Sequence, residues 1–505
     1  MISIVDNFLN RITMYRLVLY YLVVLVIAAV IFSFFGILPY NPANLVFSTV
    51  FILLVCWITN TLFAKVFTAA TNTESVYITG LILALIISPI ASNDYTGLGF
   101  IVFASAWAMG SKYIFAIGKK HIFNPAALGV ALAALTINQS ATWWVAGNYP
   151  LLPFVLVGGI LIVRKLRRFD LVLAFTAVSF ATIAFTSGSS DYVTPIIQTL
   201  QHSSFFFLAL VMLTEPLTMP PDLPRRLVYG AIVGFLFAPN IHIGTFYFTP
   251  ELALLVGNLF SYVVSPKGRF MLTLTERNKI GNGIYEFVFT SDRPFPFRAG
   301  QYLEWTLPHR FPDNRGNRRY FTIASSPTER TVRLGVKFYE SMSSFKRSLV
   351  AMKQNDTLSA SHLAGEFTLP SNQKKKLVFI AGGIGVTPFR SMVQYMIDTK
   401  DVRPAVLLYS NKSEAEISYK DVFDRAGREL DMKVVYAVSG EQGQTPGIYY
   451  GSFNSKLIAK EIPDYKDCAF YISGPRGMVE AFKNTLREMG VSRFKIKTDF
   501  FPGFA

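Results

Sequence analysis

The chain of 505 residues has only two cysteines, Cys56 and Cys468. That count excludes a disulfide framework, a cysteine-ligated iron–sulfur cluster and a cysteine zinc site. Histidine is also scarce, with five, at 121, 202, 242, 309 and 362. Only His202 falls well inside an apolar stretch, so facing histidine pairs to ligate haem are lacking and no metal site is expected. The third scarcity is charge: the first 270 residues contain 14 Lys or Arg and 8 Asp or Glu, against 34 and 24 in the remainder. The formal net charge of +16 is therefore split between sparse positives in an apolar half and a moderately basic half of ordinary charge density. No basic stripe interleaved with aromatics occurs, so nucleic-acid binding is not expected.

Long apolar runs fill the first half. Ten membrane spans are predicted, at 14–36, 44–64, 75–92, 97–117, 123–137, 151–163, 169–186, 195–213, 227–239 and 251–265. Most approach the roughly 20 apolar residues that cross hydrocarbon, and the short ones suit half-helices or tilted segments. Connections 37–43, 93–96, 138–150, 187–194 and 240–250 contain no Lys or Arg. The positives (Arg11, Arg16, Lys65, Lys112, Lys119, Lys120, Arg164, Lys165, Arg167, Arg168, Arg225, Arg226, Lys267, Arg269) all fall on the other side of this ten-span reading. The positive-inside rule makes that side, and both termini, cytoplasmic, in a multi-pass protein of the plasma membrane. The opening MISIVDNFLNRITMYR is polar and lacks a small-residue cleavage pattern, so the first span is expected to be retained.

After Lys267 the periodicity changes. Short alternating strands are predicted at 285–290, 302–307 and 332–338, and strand–helix alternation takes over from 376. The expected organisation is an all-α bundle over 1–266, an antiparallel β-barrel over 267–371 and an α/β parallel-sheet domain over 372–505.

Four segments of the second half point to chemistry. NRRYFTIASSP (317–327) places a cation, an aromatic and a hydroxyl in succession on a strand, suited to a dinucleotide flavin. In that role Arg319 neutralises the pyrophosphate, Phe321 lies against the ring, and Thr322 bonds near its reactive nitrogen. The competing reading is a plain strand with a surface arginine. GVKFYESMSSFKRSLV (335–350) runs a strand through Ser341–Ser344 into a helix, an anion site or a simple serine cap. KKLVFIAGGIGVTPFRSMVQYM (375–396) sets Gly382, Gly383 and Gly385, then Thr387 and Pro388, between a strand and a helix. Backbone can approach a pyrophosphate there and the helix start supplies amides. CAFYISGPRGMVEAFKNTL (468–486) repeats the pattern, with Ser473, Gly474 and Pro475 at a strand's carboxyl end. The closing aromatics Phe500, Phe501 and Phe504 suit either a cover for a flavin face or a buried strand.

In this order and spacing, 267–505 resembles the ferredoxin–NADP reductase family, whose flavin motif is Arg-x-(Tyr/Phe)-(Ser/Thr). The resemblance implies FAD contacts from Arg319, Tyr320, Phe321, Thr322, Ser343 and Ser344. It implies NADH or NADPH contacts from Gly382, Gly383, Gly385, Thr387 and Pro388, with Thr322 and Ser473 at the hydride-transfer centre. Ser473 stands where the family often has Cys, and Ser341 where the phosphate loop usually begins with Gly. Ser410-Asn411-Lys412 contains no Arg to grip a 2′-phosphate, which leans to NADH.

Three membrane segments differ from simple spans. Asn124-Pro125 opens a helix after a basic loop, Glu215 lies among four prolines, and Glu74 immediately precedes a span. Broken helix ends and edge carboxylates mark ligand or ion sites in membranes, although capping and turns produce the same residues. The FNPA start, the Thr-Glu-Pro-x-Thr-x-Pro run from Thr214, and Arg225 to Tyr229-Gly230 resemble the Nqr/Rnf membrane flavoprotein family. Its ten-span members serve the sodium-pumping NADH:quinone reductase Nqr and the Rnf complex. The resemblance covers 40–265 and implies flavin within the bundle, with Asn124, Glu215 and Thr218 as contacts. It also suggests an FMN or riboflavin there, and Thr142 in NQSATWW is the nearest candidate for covalent attachment, against Trp143-Trp144 as an interfacial aromatic belt. Thr73-Glu74 and Thr214-Glu215 suggest a short internal repeat.

The expected function is a membrane NAD(P)H-oxidising flavoprotein passing electrons through FAD to membrane flavin, then to a quinone or an extracytoplasmic acceptor. One alternative is a redox-driven sodium or proton pump with Glu74, Glu215 and Glu251 as ion ligands. Another is a membrane-anchored reductase for a soluble partner.

Overall fold

Polar side chains set where the helices of the first half begin. Thr13, Asn41, Asp94, Asn124, Asp222 and Thr249 each accept a first-turn N–H. Pro42, Pro125 and Pro250 take the first helical position, where no N–H is needed. The computed structural model describes residues 5–6, 8–9, 12–67, 73–117, 120–188, 191–265, 269–310, 313 and 316–501. It divides into two compact units, Met1–Gly268 and Arg269–Ala505.

The first unit is helical: Met14–Phe34, Pro42–Val66, Thr73–Ile86, Tyr95–Ile114, Pro125–Ile137, Leu152–Leu166, Phe169–Thr186, Val193–His202, Leu223–Phe237 and Pro250–Val264. Among the described residues, four helices are long and apolar enough to cross a membrane: Met14–Phe34, Pro42–Val66, Tyr149–Leu166 and Phe169–Thr186. Counting one bent pair as a span brings the number to five. Thr73–Ile86, Pro125–Ile137 and Pro250–Val264 have 14, 13 and 15 residues. At 1.5 Å per residue each is about 20 Å long, short of a hydrocarbon core of about 30 Å.

The expected single span 195–213 is instead broken after His202 and resumes at Phe205–Phe207 and a π-helical Leu208–Met212. Ser203 causes the break: its Oγ donates to the Thr199 carbonyl at 2.5 Å and accepts the Phe205 N–H at 3.2 Å, replacing helical bonds. The side chain of His202 lies outside the described residues. Lys112, read as a loop positive, sits in the last turn of Tyr95–Ile114, and its Nζ donates to the carbonyl and hydroxyl of Ser75, both at 3.0 Å.

The unit contains two segments of similar local pattern, apart from the two Thr-Glu pairs. Glu74 pairs with Arg16 at 2.9 Å, whereas Glu215 bonds Asn124 and His121, so the two Thr-Glu pairs have unlike surroundings. The likeness lies elsewhere. A two-residue hairpin (116–117 with 120–121; 242–243 with 246–247) precedes a polar cap and a proline-started helix in each half. The Asn124 N–H at the start of one helix meets Asn258 deep in the other at 2.8 Å, while Glu251 at the start of that other meets Trp143, beyond the end of the first. The two helices therefore run antiparallel.

In the second unit, one antiparallel sheet has the strand order Arg318–Thr322, Tyr302–Thr306, Thr357–Ala364, Phe270–Gly281, Ile284–Ser291, Val332–Lys337. Its core is Leu303, Trp305, Phe287, Phe289 and Phe345. Among the described residues the two end strands share no ladder. A bond from the Ala324 N–H to the Arg333 carbonyl, at 2.8 Å, links the segment after one to the other.

A parallel sheet follows, ordered Ile448–Tyr450, Lys433–Val438, Ala405–Asn411, Leu377–Gly382, Ala469–Pro475, Ile496–Phe501. Leu377–Gly382 is buried along its whole length, as a strand covered on both faces must be. The chain leaves it for Ala405–Asn411 on one side and later returns at Ala469–Pro475 on the other. The crevice where strand order reverses thus lies between Gly382 and Ser473–Pro475.

Cys468 starts this last crossing fully buried, and burial first, then the Asp464 carboxylate, pushes its thiol up to about 11. Roughly one thiol in a thousand is then ionised at pH 8. Iodoacetamide at pH 8 should leave the Cys468 peptide unmodified in the folded protein, read by peptide mass. Labelling at the rate of a free thiol would contradict the burial described.

Candidate functional site

Among the described residues, Arg318–Thr322 is an edge strand, paired only with Tyr302–Thr306. Successive strand residues face opposite ways, so Arg319 and Phe321 share the face of buried Trp305 and Leu303, while Tyr320 and Thr322 take the other. The three groups expected to act side by side are therefore divided across the strand. Tyr320 is half exposed and its hydroxyl donates to Glu304 Oε2 at 2.7 Å.

The helix Ser344–Val350 packs on the Arg319 face. Phe345 lies 5.9 Å from the Phe321 ring and 5.2 Å from the Arg319 guanidinium carbon. Ser343 caps this helix by accepting the Lys346 N–H at 3.3 Å. The Ser344 N–H donates to Asp313 Oδ2 at 2.9 Å, and Arg319 donates to Asp313 Oδ1 at 3.4 Å. A carboxylate held by a guanidinium and a helix-start amide marks an anion position. Sequence reasoning missed His309 here. Its Nδ1 faces the Leu307 carbonyl at 2.8 Å, which in the neutral ring places the proton on Nδ1 and leaves Nε2 to accept the Ser344 hydroxyl at 3.0 Å.

The parallel sheet supplies the second wall. The turn Gly383–Val386 leads into the helix Thr387–Thr399, with Thr387 and Pro388 buried in its first turn. A Cβ on Gly385 would lie 2.5 Å from Gly474 Cα and 2.7 Å from the Ser473 carbonyl oxygen, so the turn rests directly on that strand's backbone. On Gly382 it would meet Met478 Sδ at 2.2 Å. Gly383 has φ +52° and open space beyond it. Pro475 ends the neighbouring strand and is exposed.

Among the described residues, several buried hydroxyls have no hydrogen-bond partner in the protein, and in the second unit they are Thr322 Oγ1, Ser473 Oγ, Ser359 Oγ and the Tyr419 hydroxyl. An unsatisfied buried hydroxyl costs about 1–3 kcal/mol, so those of Thr322 and Ser473 mark places suited to a bound polar group. Phe504 lies outside the described residues, as do the side chains of Phe500 and Phe501.

In the helical unit, Asn124, Glu215 and Thr218 converge. Asn124 Nδ2 donates to Glu215 Oε2 at 2.8 Å, the Thr218 hydroxyl donates to the same oxygen at 3.2 Å, and His121 Nε2 lies 3.3 Å from Oε1. His121, Asn124 and Glu215 border a cavity of about 60 Å³ with Tyr15, Ser75 and Thr79. Thr142 is exposed, and its Oγ1 accepts from Ser88 at 2.9 Å. Trp143 and Trp144 are buried, which corrects the aromatic-belt reading: their indole N–H groups bond Glu251 Oε2 at 3.1 Å and the carbonyls of Ala84 and Ile87 at 3.0 Å.

Residues 379–484 match the family described as "Oxidoreductase NAD-binding domain". The C-terminal unit is an oxidoreductase. Over 239 residues the chain is 26% identical to a flavohemoprotein of Pseudomonas putida, covering 46% of this chain and 59% of that protein. It is 27% identical over 201 residues to the reductase component of a phenol 2-monooxygenase of a Pseudomonas species, covering 39% and 55%. The chain spans about half the length of the curated relatives it matches. A solved structure, the flavohem-like FAD/NAD binding domain of nitric oxide dioxygenase from Vibrio cholerae, is similar at TM-score 0.41 and 18% identity. That likeness covers 46% of this chain and 98% of the other.

Proposed function

We propose that this chain is a membrane NAD(P)H-oxidising flavoprotein that takes FAD and NAD(P)H in its C-terminal unit and passes electrons to flavin in its helical unit, then to a quinone or an extracytoplasmic acceptor. The observation that carries the reading is the glycine turn after Leu377–Gly382, set at the crevice where the parallel sheet's strand order reverses, with Thr322 and Ser473 among the buried hydroxyls that have no partner among the described residues. The relatives named as a flavohemoprotein and a monooxygenase reductase component support it. Bound FAD would supply acceptance of a hydride and release of single electrons. Arg319 and the Ser344 N–H, which Asp313 engages here, would hold the pyrophosphate, Phe321 and Phe345 would line an apolar side, and Thr322, on the strand's other face, would offer a hydroxyl. Gly383 leaves open space for the nucleotide, Gly382 and Gly385 let the turn close on Met478 and Gly474, and the amides opening Thr387–Thr399 would face the phosphates.

In the same reading the helical unit spans the plasma membrane ten times with both termini cytoplasmic, its short helices crossing as half-helices. Asn124, Glu215 and Thr218 hold the second flavin, FMN or riboflavin. The ion-pump alternative draws on the burial of Glu251 beside Trp143, while Glu74 is ion-paired with Arg16 at 2.9 Å.

Two measurements test the proposal. The purified chain should hold more than one flavin, counted before and after acid precipitation, and NADH should bleach its absorbance. One FAD per chain would leave only the anchored-reductase reading. Glu215→Gln should cost the second flavin while FAD is retained, and unchanged flavin content in that variant would remove Glu215 from the site.

A further inference from the structure

The flavin-motif strand and the glycine turn belong to different sheets, and alternating charges join them. Arg390, buried in the first turn of Thr387–Thr399, grips Glu329 with both terminal nitrogens, Nη2 to Oε1 at 3.0 Å, and donates Nη1 to the Ala324 carbonyl at 3.2 Å. Ser391 Oγ donates to the Ser325 carbonyl at 2.6 Å. Glu329 also pairs with Arg333 at 3.0 Å, and Arg333 donates to Glu286 Oε2 at 2.6 Å. The Tyr419 ring stands 5.8 Å from the Arg390 guanidinium carbon, and burial, then the nearby Glu286, holds its hydroxyl well above the usual range and so protonated.

Position in the chain gives this network its meaning. Ala324 and Ser325 follow Thr322 almost directly, and Arg390 and Ser391 lie within one helical turn of Thr387. Both anchors are therefore two to four residues along the chain from the residues assigned to flavin and nucleotide. Apolar packing alone would hold the sheets together at a range of angles. A forked guanidinium–carboxylate pair is planar and directional, and a buried one has little freedom to slide.

We propose that Arg390, Ser391 and Glu329 form a positioning latch that sets the distance and angle between the nicotinamide at the glycine turn and the flavin along Arg318–Thr322. The inference rests on the flavoprotein reading above. The step it serves moves a hydride, two electrons and one proton, from the dihydronicotinamide of NADH to oxidised FAD. The nicotinamide is left as the oxidised pyridinium and the flavin as its reduced anion. A misplacement of about 1 Å costs such a transfer roughly a hundredfold.

The test uses the full chain with Arg390→Lys, which keeps the charge and loses the fork, and Ser391→Ala, which removes one bond. Both should keep FAD content, melting temperature and NAD⁺ affinity. The long-wavelength charge-transfer absorbance formed on mixing with NADH should fall at least about fivefold, and the limiting rate of flavin reduction about tenfold to a hundredfold. If Arg390→Lys fails to fold, Ser391→Ala carries the test alone. Charge-transfer absorbance and rate equal to those of the natural chain would overturn the latch, as would a loss of rate matched by loss of FAD. A natural chain that binds no FAD, or whose FAD is not reduced by NADH, overturns the flavoprotein reading instead.

Discussion

Thr322→Val should make the flavin-free protein more stable and the FAD-loaded protein slower to be reduced. The two outcomes follow from one atom. Thr322 Oγ1 is buried without a partner among the described residues, so the flavin-free fold bears the cost of a desolvated hydroxyl. Valine keeps the shape and removes that cost, a gain of about 1 kcal/mol in thermal or denaturant unfolding. With FAD bound, the hydroxyl is a side-chain donor next to the assigned ring position, and losing a donor of that kind slows reaction about a hundredfold. Stopped-flow reduction by NADH and melting of the flavin-free protein read the two effects. A less stable valine variant would mean that the hydroxyl has a protein partner, and an unchanged reduction rate would move it away from the reacting atoms.

Gly385→Ala should abolish reduction by NADH while leaving FAD in place. The new Cβ would stand 2.5 Å from Gly474 Cα and 2.6 Å from its nitrogen, atoms of a central strand that cannot move aside cheaply. The turn must then lift from the strand, carrying the nucleotide's seat with it, for a loss of about a hundredfold or more. Gly383→Ala is the informative contrast. Its Cβ meets nothing, but φ of +52° costs a side chain about 1–2 kcal/mol. That variant should lose stability and keep most of its rate. NADH titrations with FAD content measured in parallel separate the two glycines, and equal behaviour would show that the close approach at Gly385 is not what that glycine serves.

The legible parts of the fold were those written in local pattern. Strands expected at 285–290, 302–307 and 332–338 occur at Ile284–Ser291, Tyr302–Thr306 and Val332–Lys337, because alternating or continuous apolar residues there have one way to be buried. Phe270–Gly281 was not anticipated, since its second half, TERNKIG, is largely exposed and carries no inward face to read. The glycine turn was legible because backbone contact and positive φ demand a residue type. In the helical unit, apolar composition continues past the helix ends, so span length could not be read from it. Ser88-Pro89 and Ser203 stop helices inside otherwise apolar runs.

Site contacts made across long separations left no trace in local pattern. His309 reaches Ser344, Arg390 reaches Glu329 and Ala324, and Glu286 reaches Arg333, each from a different element. Asn124, Glu215 and Thr218 are singled out in the sequence only through a family resemblance, and the hydrogen bonds among them are visible only in three dimensions. Tyr320, expected among the flavin contacts, faces away from Arg319 because a strand alternates.

The two hairpin-and-helix segments run in opposite senses, so their backbone alone gives the unit little polarity. On the proposed membrane reading, the facing of the unit would rest on its few arginines and lysines, and transplanting them to the opposite loops should invert it with the backbone scarcely altered.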